Sequence, residues 1–282
     1  MIDFNGKLLP YDTPLVTYTN RGLRYGDSVF ETLRVVNGTL FFWEDHYLRL
    51  MASMRILRMQ IPMHFTMEAL EARMLAVLQE NGLEGSAARI RLTVFRNEGG
   101  LYLPQTNTVS LLIEATAIDA PYYQLGAGTY EIELFKDYYV NPDMLSNLKT
   151  NNKMLNVVGS IFAKENGYQN CLLLNTDKKV VEALNGNLFL VKGKTVVTPP
   201  LADGCLKGII REKLITILQK WDGVEFNEAS ISPFELQKAD ELWVTNTIMG
   251  IRPVTKYRKR EYGNVLAQEL VGKLNAAARL AV

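Results

Sequence analysis

With 282 residues, 48% of them hydrophobic and 22% charged, the chain is long and apolar enough to bury a core in one large domain or two modest ones, and its composition excludes disorder. The net charge of +1, from 31 basic and 30 acidic residues, argues against a nucleic-acid groove or a polybasic membrane patch, so neither partner is expected. Two cysteines and two histidines exclude a disulfide framework and a zinc-type cluster, and no metal is expected. The start of the chain lacks the pattern of a signal peptide, and no apolar stretch approaches the ~20 residues that cross a bilayer. A cytoplasmic location is expected.

Taken in chain order, Ile2–Phe4 and Lys7–Leu9 flank Asn5-Gly6, while Ser28–Val36 and Thr39–Trp43 flank Asn37-Gly38, which predicts two hairpins. Tyr47, Leu50, Met51, Met54 and Leu57 recur at helical spacing, as do Leu70, Met74, Val77 and Leu78 between Thr66 as N-cap and Gly82 as stop. Arg89–Arg96 and Thr108–Glu114 read as strands, which makes residues 1–116 an α+β domain. Pro121 and Gly126 mark 117–127 as a linker to a larger domain, 128–282. There Tyr130–Phe135 predicts a strand and Asn152–Glu165 a helix, with Leu155, Val158, Gly159 and Phe162 on one face. Cys171–Leu174, Val180–Glu182, Asn187–Val191, Thr195–Thr198 and Leu242–Thr245 predict strands. Ile210, Leu214, Ile217, Leu218 and Trp221 form a helical stripe opening at Gly208, and Asn264–Leu280 is a terminal helix.

Five features carry possible chemistry. Lys149 lies in the amide-rich, non-helical Ser146–Asn152 just before a helix. Glu182 stands among the apolar Val180, Val181 and Ala183, and Gly208-Ile209-Ile210-Arg211 opens a helix with no capping side chain. Each has a plain alternative: a solvated amine, a strand-end carboxylate facing water, and a helix start ending in water. Arg49 lies off the apolar stripe of its helix, so surface exposure is its default, with a phosphate clamp as the sharper alternative. Thr245-Asn246-Thr247 offers hydroxyl and amide donors in one turn, or merely stabilises it. An amine can form a Schiff base, a carboxylate can keep a pyridinium protonated, and a helix N-terminus can hold a phosphate. Those are the fixed points needed by pyridoxal 5′-phosphate.

The whole set, in this order, resembles the fold-type IV pyridoxal-phosphate enzymes, or class IV aminotransferases. That family includes branched-chain aminotransferases, D-amino acid aminotransferases and 4-amino-4-deoxychorismate lyases. The likeness runs from Asn20-Arg21-Gly22 and Tyr25–Arg34, through His46-Tyr47-Leu48-Arg49-Leu50, to Ala239–Thr247. It implies a two-domain α+β subunit, with a smaller N-terminal domain and a larger C-terminal one, a cofactor at the domain boundary, and a homodimer. It further implies that Lys149 is the Schiff-base lysine, Glu182 the partner of the pyridine nitrogen and Arg49 the phosphate arginine. The backbone of Ile209 and Ile210, with Asn246 and Thr247, would complete the phosphate cup.

Within the family, Thr32 stands where branched-chain enzymes have glycine, Asn246 interrupts their Thr-Gly-Thr turn, and Met154 replaces a tyrosine. The stretch after Arg96 lacks the Pro-Arg-x-His trap of the D-amino acid enzymes. Thr32, Arg91, Gly99-Gly100, Asn152 and the Trp243–Asn246 turn look like the lyase branch. That likeness implies proton transfer by Thr32 and a small-molecule amino substrate whose carboxylate meets Arg91, with Tyr25 beside it. A structural role for both Thr32 and Arg91 is the alternative. The reaction so implied converts 4-amino-4-deoxychorismate to 4-aminobenzoate and pyruvate. The same residues serve an aminotransferase, which is the alternative.

Overall fold

The computed structural model describes residues 1–280; residues 281 and 282, at the end of the expected larger domain, lie outside them. The chain divides into two compact units, one of Met1–Tyr122 with Lys149–Asn152, the other of Tyr123–Leu148 with Lys153–Leu280. Among the described residues no helix is long and apolar enough to cross a membrane.

In the first unit, β1 (Ile2–Phe4), β2 (Lys7–Leu9), α1 (Arg21–Tyr25), β3 (Ser28–Val36), β4 (Thr39–Leu40), α2 (Trp43–Ile56), α3 (Met67–Glu80), β5 (Ala87–Arg96) and β6 (Val109–Ala117) follow in order. The strands make one antiparallel sheet, β2-β1-β6-β5-β3-β4. Both Asn-Gly hairpins form: Asn5 and Gly6, then Asn37 and Gly38, all take positive φ, as a twist-matched two-residue turn requires. The second hairpin is shorter than its sequence predicts. Phe42 adopts φ 57°, which breaks the extension after Leu40 and turns the chain into α2 at Trp43. Val29, Leu33 and Val35 alternate onto one face of β3 and pack with Leu50, Met51 and Met54 of α2 and Leu70, Met74 and Val77 of α3. Each such fully buried side chain contributes roughly 1.5–3 kcal/mol.

The second unit holds β7 (Glu131–Val140), α4 (Met154–Glu165), β8 (Asn170–Asn175), β9 (Val180–Ala183), β10 (Gly186–Lys192) and β11 (Thr195–Thr198). They are followed by a 3-10 turn (Leu201–Asp203), α5 (Ile209–Gln219), β12 (Glu225–Glu228), α6 (Pro233–Leu236), β13 (Glu241–Asn246), β14 (Gly250–Pro253), β15 (Lys256–Tyr257), β16 (Arg260–Glu261) and α7 (Val265–Leu280). The sheet runs β12-β11-β10-β9-β8-β7-β15-β16, with β13 joining β10 and β14. Its core sets Leu172, Leu188, Leu242 and Val244 against Leu236 and Tyr257, and a satellite cluster packs Phe135, Cys171 and Leu173 with Ala163. Cys171 is fully buried there as a packing residue. The helix expected from Asn152 begins at Met154, because the preceding residues are drawn into extended pairing with β3.

Candidate active site

The first unit builds its polar groups on both faces of β3. Residues 149–151 lie along the free stretch of that strand: the Phe30 N–H donates to the Lys149 carbonyl at 2.9 Å and the Asn151 N–H to the Ser28 carbonyl at 3.1 Å. The Lys149 backbone is therefore fixed by sheet hydrogen bonds, on an extended segment rather than on the helix that follows. Its ammonium lies 4.4 Å from the Phe30 ring centroid, and the Arg91 guanidinium lies 3.8 Å from the same centroid. Thr32 and Arg91 are cross-strand partners. Arg91 also donates to Asn151 Oδ1 at 2.9 Å and to Thr93 Oγ1 at 3.2 Å, and burial holds its pKa below the usual arginine value. Lys149 and Arg91 thus meet at one ring, with Thr32 opposite Arg91 in the strand register. Tyr25 lies in a neighbouring group, 5.7 Å from Tyr102 with the Arg21 guanidinium 5.0 Å from its ring.

On the opposite, helix-covered face, Glu31 shares the side of Val29 and Leu33, where a carboxylate must be paired to be tolerated. Two residues of α2 meet it. Arg49 donates from Nε at 2.8 Å and from Nη2 at 2.5 Å, and His46 Nδ1 lies 2.6 Å from Glu31 Oε2. Burial would raise the Glu31 pKa, but the Arg49 charge and the hydrogen bonds from Arg49 and His46 bring it down to about 2. Burial also holds His46 below its ordinary pKa, so the ring is neutral and Nδ1 carries its proton toward Glu31. Arg49 is 10% exposed, not the surface residue its place off the apolar stripe suggests. Pairing with Glu31 is what draws it in.

In the second unit, Glu182 stands on β9 between buried neighbours and is itself half-buried. Its register partner on β10 is Asn187. Glu182 Oε2 accepts the Leu206 N–H at 2.9 Å, and Asn187 Nδ2 donates to the Leu206 carbonyl at 2.8 Å, so the segment leading into α5 is held from both strands. Gly208 then takes the N-cap of α5 with no side-chain cap. A Cβ on Gly208 would come closer than 3.0 Å to Asn187 Oδ1, so any side chain there would have to displace the Asn187 side chain of β10. The Thr245 hydroxyl, on the register partner of Asn187, is buried without a hydrogen-bond partner among the described residues. Asn246 donates from Nδ2 to the Asn185 carbonyl at 2.9 Å and accepts the N–H groups of Ile248 and Met249, so its side chain shapes the turn that carries Thr247. Glu182, the start of α5 at Ile209 and Ile210, and the Thr245–Thr247 turn thus converge on Asn185–Asn187.

Sequence reasoning did not single out Glu31, His46, Asn151, Asn187 or Lys153. Lys153, the N-cap of α4, is half-buried; burial lowers its pKa while the charge of Glu182 acts the other way. A signal for the first two existed: Glu31 interrupts the apolar face of an alternating strand, and His46 precedes Arg49 by three residues, one helical turn away.

The family model of class IV amino-transferases matches residues 28–257. A Methanocaldococcus jannaschii protein provisionally named a branched-chain-amino-acid aminotransferase is 32% identical over 277 residues, covering 97% of this chain and 93% of its own length. An aminodeoxychorismate lyase of Vibrio harveyi is 27% identical over 243 residues, covering 84% and 85%. The solved structure of the T.th. branched-chain amino acid aminotransferase complexed with N-(5′-phosphopyridoxyl)-L-glutamate superposes with a TM-score of 0.86 at 26% identity, over 99% of this chain and 94% of that one. The α+β architecture is thus that of the fold-type IV enzymes. With the family model spanning most of the sequence, the chain belongs to the class IV aminotransferases, as its resemblance implied.

Proposed function

We propose that the protein is an aminotransferase that moves an amino group between a small amino acid and a keto acid, with Lys149 as its central residue. Pyridoxal 5′-phosphate is the cofactor; when bound it supplies an aldehyde for amines and a ring that accepts electrons from a substrate carbanion. The residues present fit it. The uncapped start of α5, the side-chain-free approach at Gly208 and the Thr245 hydroxyl, buried with no partner among the described residues, suit a phosphate. The Ile209 and Ile210 N–H groups, Thr247 and Arg49 would hold it. Glu182 would keep a proton on the ring nitrogen, with Asn246 supporting the turn nearby. Lys149 would bind the aldehyde carbon until the substrate amine takes its place, and the freed Lys149 amine would then take the α-proton of the substrate and deliver it to that carbon of the cofactor. Arg91 would bind the substrate carboxylate, with Tyr25 beside it.

The observation that carries this reading is the near full-length likeness to the M. jannaschii relative, set beside an amine whose backbone is locked into the sheet. A second reading, the lyase, is favoured by one observation: Thr32 and Arg91 face each other across β3 and β5 beside Lys149. There Thr32 or Lys149 would donate the proton that accompanies loss of pyruvate. We place either enzyme in the cytoplasm as a homodimer acting on a small amino substrate, without nucleic-acid or membrane partners.

The test mixes the purified, cofactor-loaded chain with branched-chain, other L- and D-amino acids and follows the cofactor absorbance. Conversion to the pyridoxamine form, reversed by the matching keto acid, is expected. Production of 4-aminobenzoate from 4-amino-4-deoxychorismate, with no conversion by any amino acid, would replace the aminotransferase with the lyase.

A further inference from the structure

The Glu31–His46–Arg49 cluster contains two groups that the proposed chemistry does not use, Glu31 and His46. His46 is fully buried, its Nδ1 bonds to Glu31, and its Nε2 is buried with no hydrogen-bond partner among the described residues. Enclosing a bare ring nitrogen costs free energy, and a leucine or phenylalanine at this position would avoid the cost. What an apolar residue cannot supply is the Nδ1–H donor. Glu31 Oε2 is shared between that donor and Arg49 Nη2, while Oε1 accepts from Arg49 Nε. A carboxylate gripped on three sides cannot rotate about its terminal bond, so the guanidinium facing it side-on is held in one plane. His46 and Arg49 leave α2 three residues apart, so the helix delivers both to the same carboxylate.

We infer that His46 is a positioning residue: by donating from Nδ1 to Glu31 it fixes the carboxylate that aims Arg49, and so sets how tightly the chain holds the phosphate of its cofactor. The inference rests on Arg49 being the phosphate arginine. The neutral ring suits the role. The Glu31 charge is met by Arg49, so a protonated His46 would add a further cation beside Arg49 and Lys149, whose charges both oppose it.

The experiment compares binding of pyridoxal 5′-phosphate and of phosphate-free pyridoxal to the full chain, freed of cofactor, in wild type, His46→Asn, His46→Gln, His46→Leu and Arg49→Ala. Asparagine places its side-chain nitrogen near the Nδ1 position and keeps the donor; glutamine places its nitrogen near Nε2 and loses it. His46→Asn is expected to keep the wild-type preference for the phosphorylated aldehyde. His46→Gln and His46→Leu are expected to bind pyridoxal 5′-phosphate about tenfold more weakly, as loss of a hydrogen bond to a charged group predicts, with pyridoxal binding unchanged. Unaltered phosphate preference in His46→Gln and His46→Leu, or equal loss for both aldehydes, would overturn the inference. If His46→Leu does not fold, the Asn and Gln pair decides alone. An Arg49→Ala protein that keeps the preference would instead remove the reading of Arg49, an outcome distinct from the first because His46 is intact in it.

Discussion

The close approach at Gly208 makes a quantitative prediction. Its backbone, at φ −77° and ψ 138°, is open to any residue, so Gly208→Ala introduces no dihedral strain. On backbone entropy alone the substitution would stabilise by about 0.4–1 kcal/mol. The new Cβ, however, meets Asn187 Oδ1 closer than 3.0 Å, and Asn187 is buried at 4% exposure. Asn187 must move, and its 2.8 Å bond to the Leu206 carbonyl is lost. Breaking such a buried bond costs about 1–3 kcal/mol. The net loss is about 1–2 kcal/mol, or roughly 3–6 °C in Tm for a unit of this size. Gly272→Ala is the internal control: it lies inside α7 with nothing within 4 Å of the added methyl, and should gain about 0.5–1 kcal/mol. Thermal unfolding of the two full-length variants measures both shifts. A Gly208→Ala protein whose Tm rises like that of Gly272→Ala would refute the idea that β10 and α5 are in obligatory contact there.

Three further outcomes are expected. Glu31 titrates near 2 when folded against an ordinary 4.5, so its stabilisation is complete above pH 4.5 and is lost as pH falls toward 2; His46, depressed below 6.5, adds a destabilising slope that starts higher. Urea midpoints measured from pH 7 to pH 3 should fall in that direction, and Glu31→Gln should flatten the lower part of the curve. Cys171 and Cys205 are buried, and desolvation raises their thiols to about 11 and about 12, so iodoacetamide at pH 7 should label neither until denaturant is added. Arg91→Lys cannot both bond Asn151 and Thr93 and lie over Phe30, so KM for the carboxylate substrate should rise about 10–100-fold in steady-state assays, well beyond any loss in kcat.

Much of the fold was legible because its periodicities are long and its turns carry their own chemistry. The two Asn-Gly hairpins, the stripes of α2, α3 and α5, and the strands around Cys171 and Leu188 follow from local pattern alone. The short elements were not legible: β12, α6 and β14 to β16 span two to four residues each, too few for a period to declare itself, although Ser232-Pro233-Phe234-Glu235 carries a complete capping box. β7 outruns its predicted end at Phe135 because residues 136–139 are exposed and the register shifts past Phe135, so no alternation marks them. In the candidate site, Lys149, Glu182 and the α5 start were visible as residue types in suggestive company. The pairings around them were not, since nothing local joins Glu31 to His46 and Arg49, or Asn187 to Gly208, and each pair meets only in the tertiary fold.

The four residues that carry Lys149 belong to the first unit although the chain on either side of them belongs to the second. A cut after Tyr122, by protease or by splitting the gene, would therefore part Lys149 from its own footing: the lysine would depart with the C-terminal fragment, and the strand that anchors it would remain with the N-terminal one. Neither fragment would hold the Lys149 backbone in place by itself, and a complementation experiment between them would have to rebuild that strand edge first.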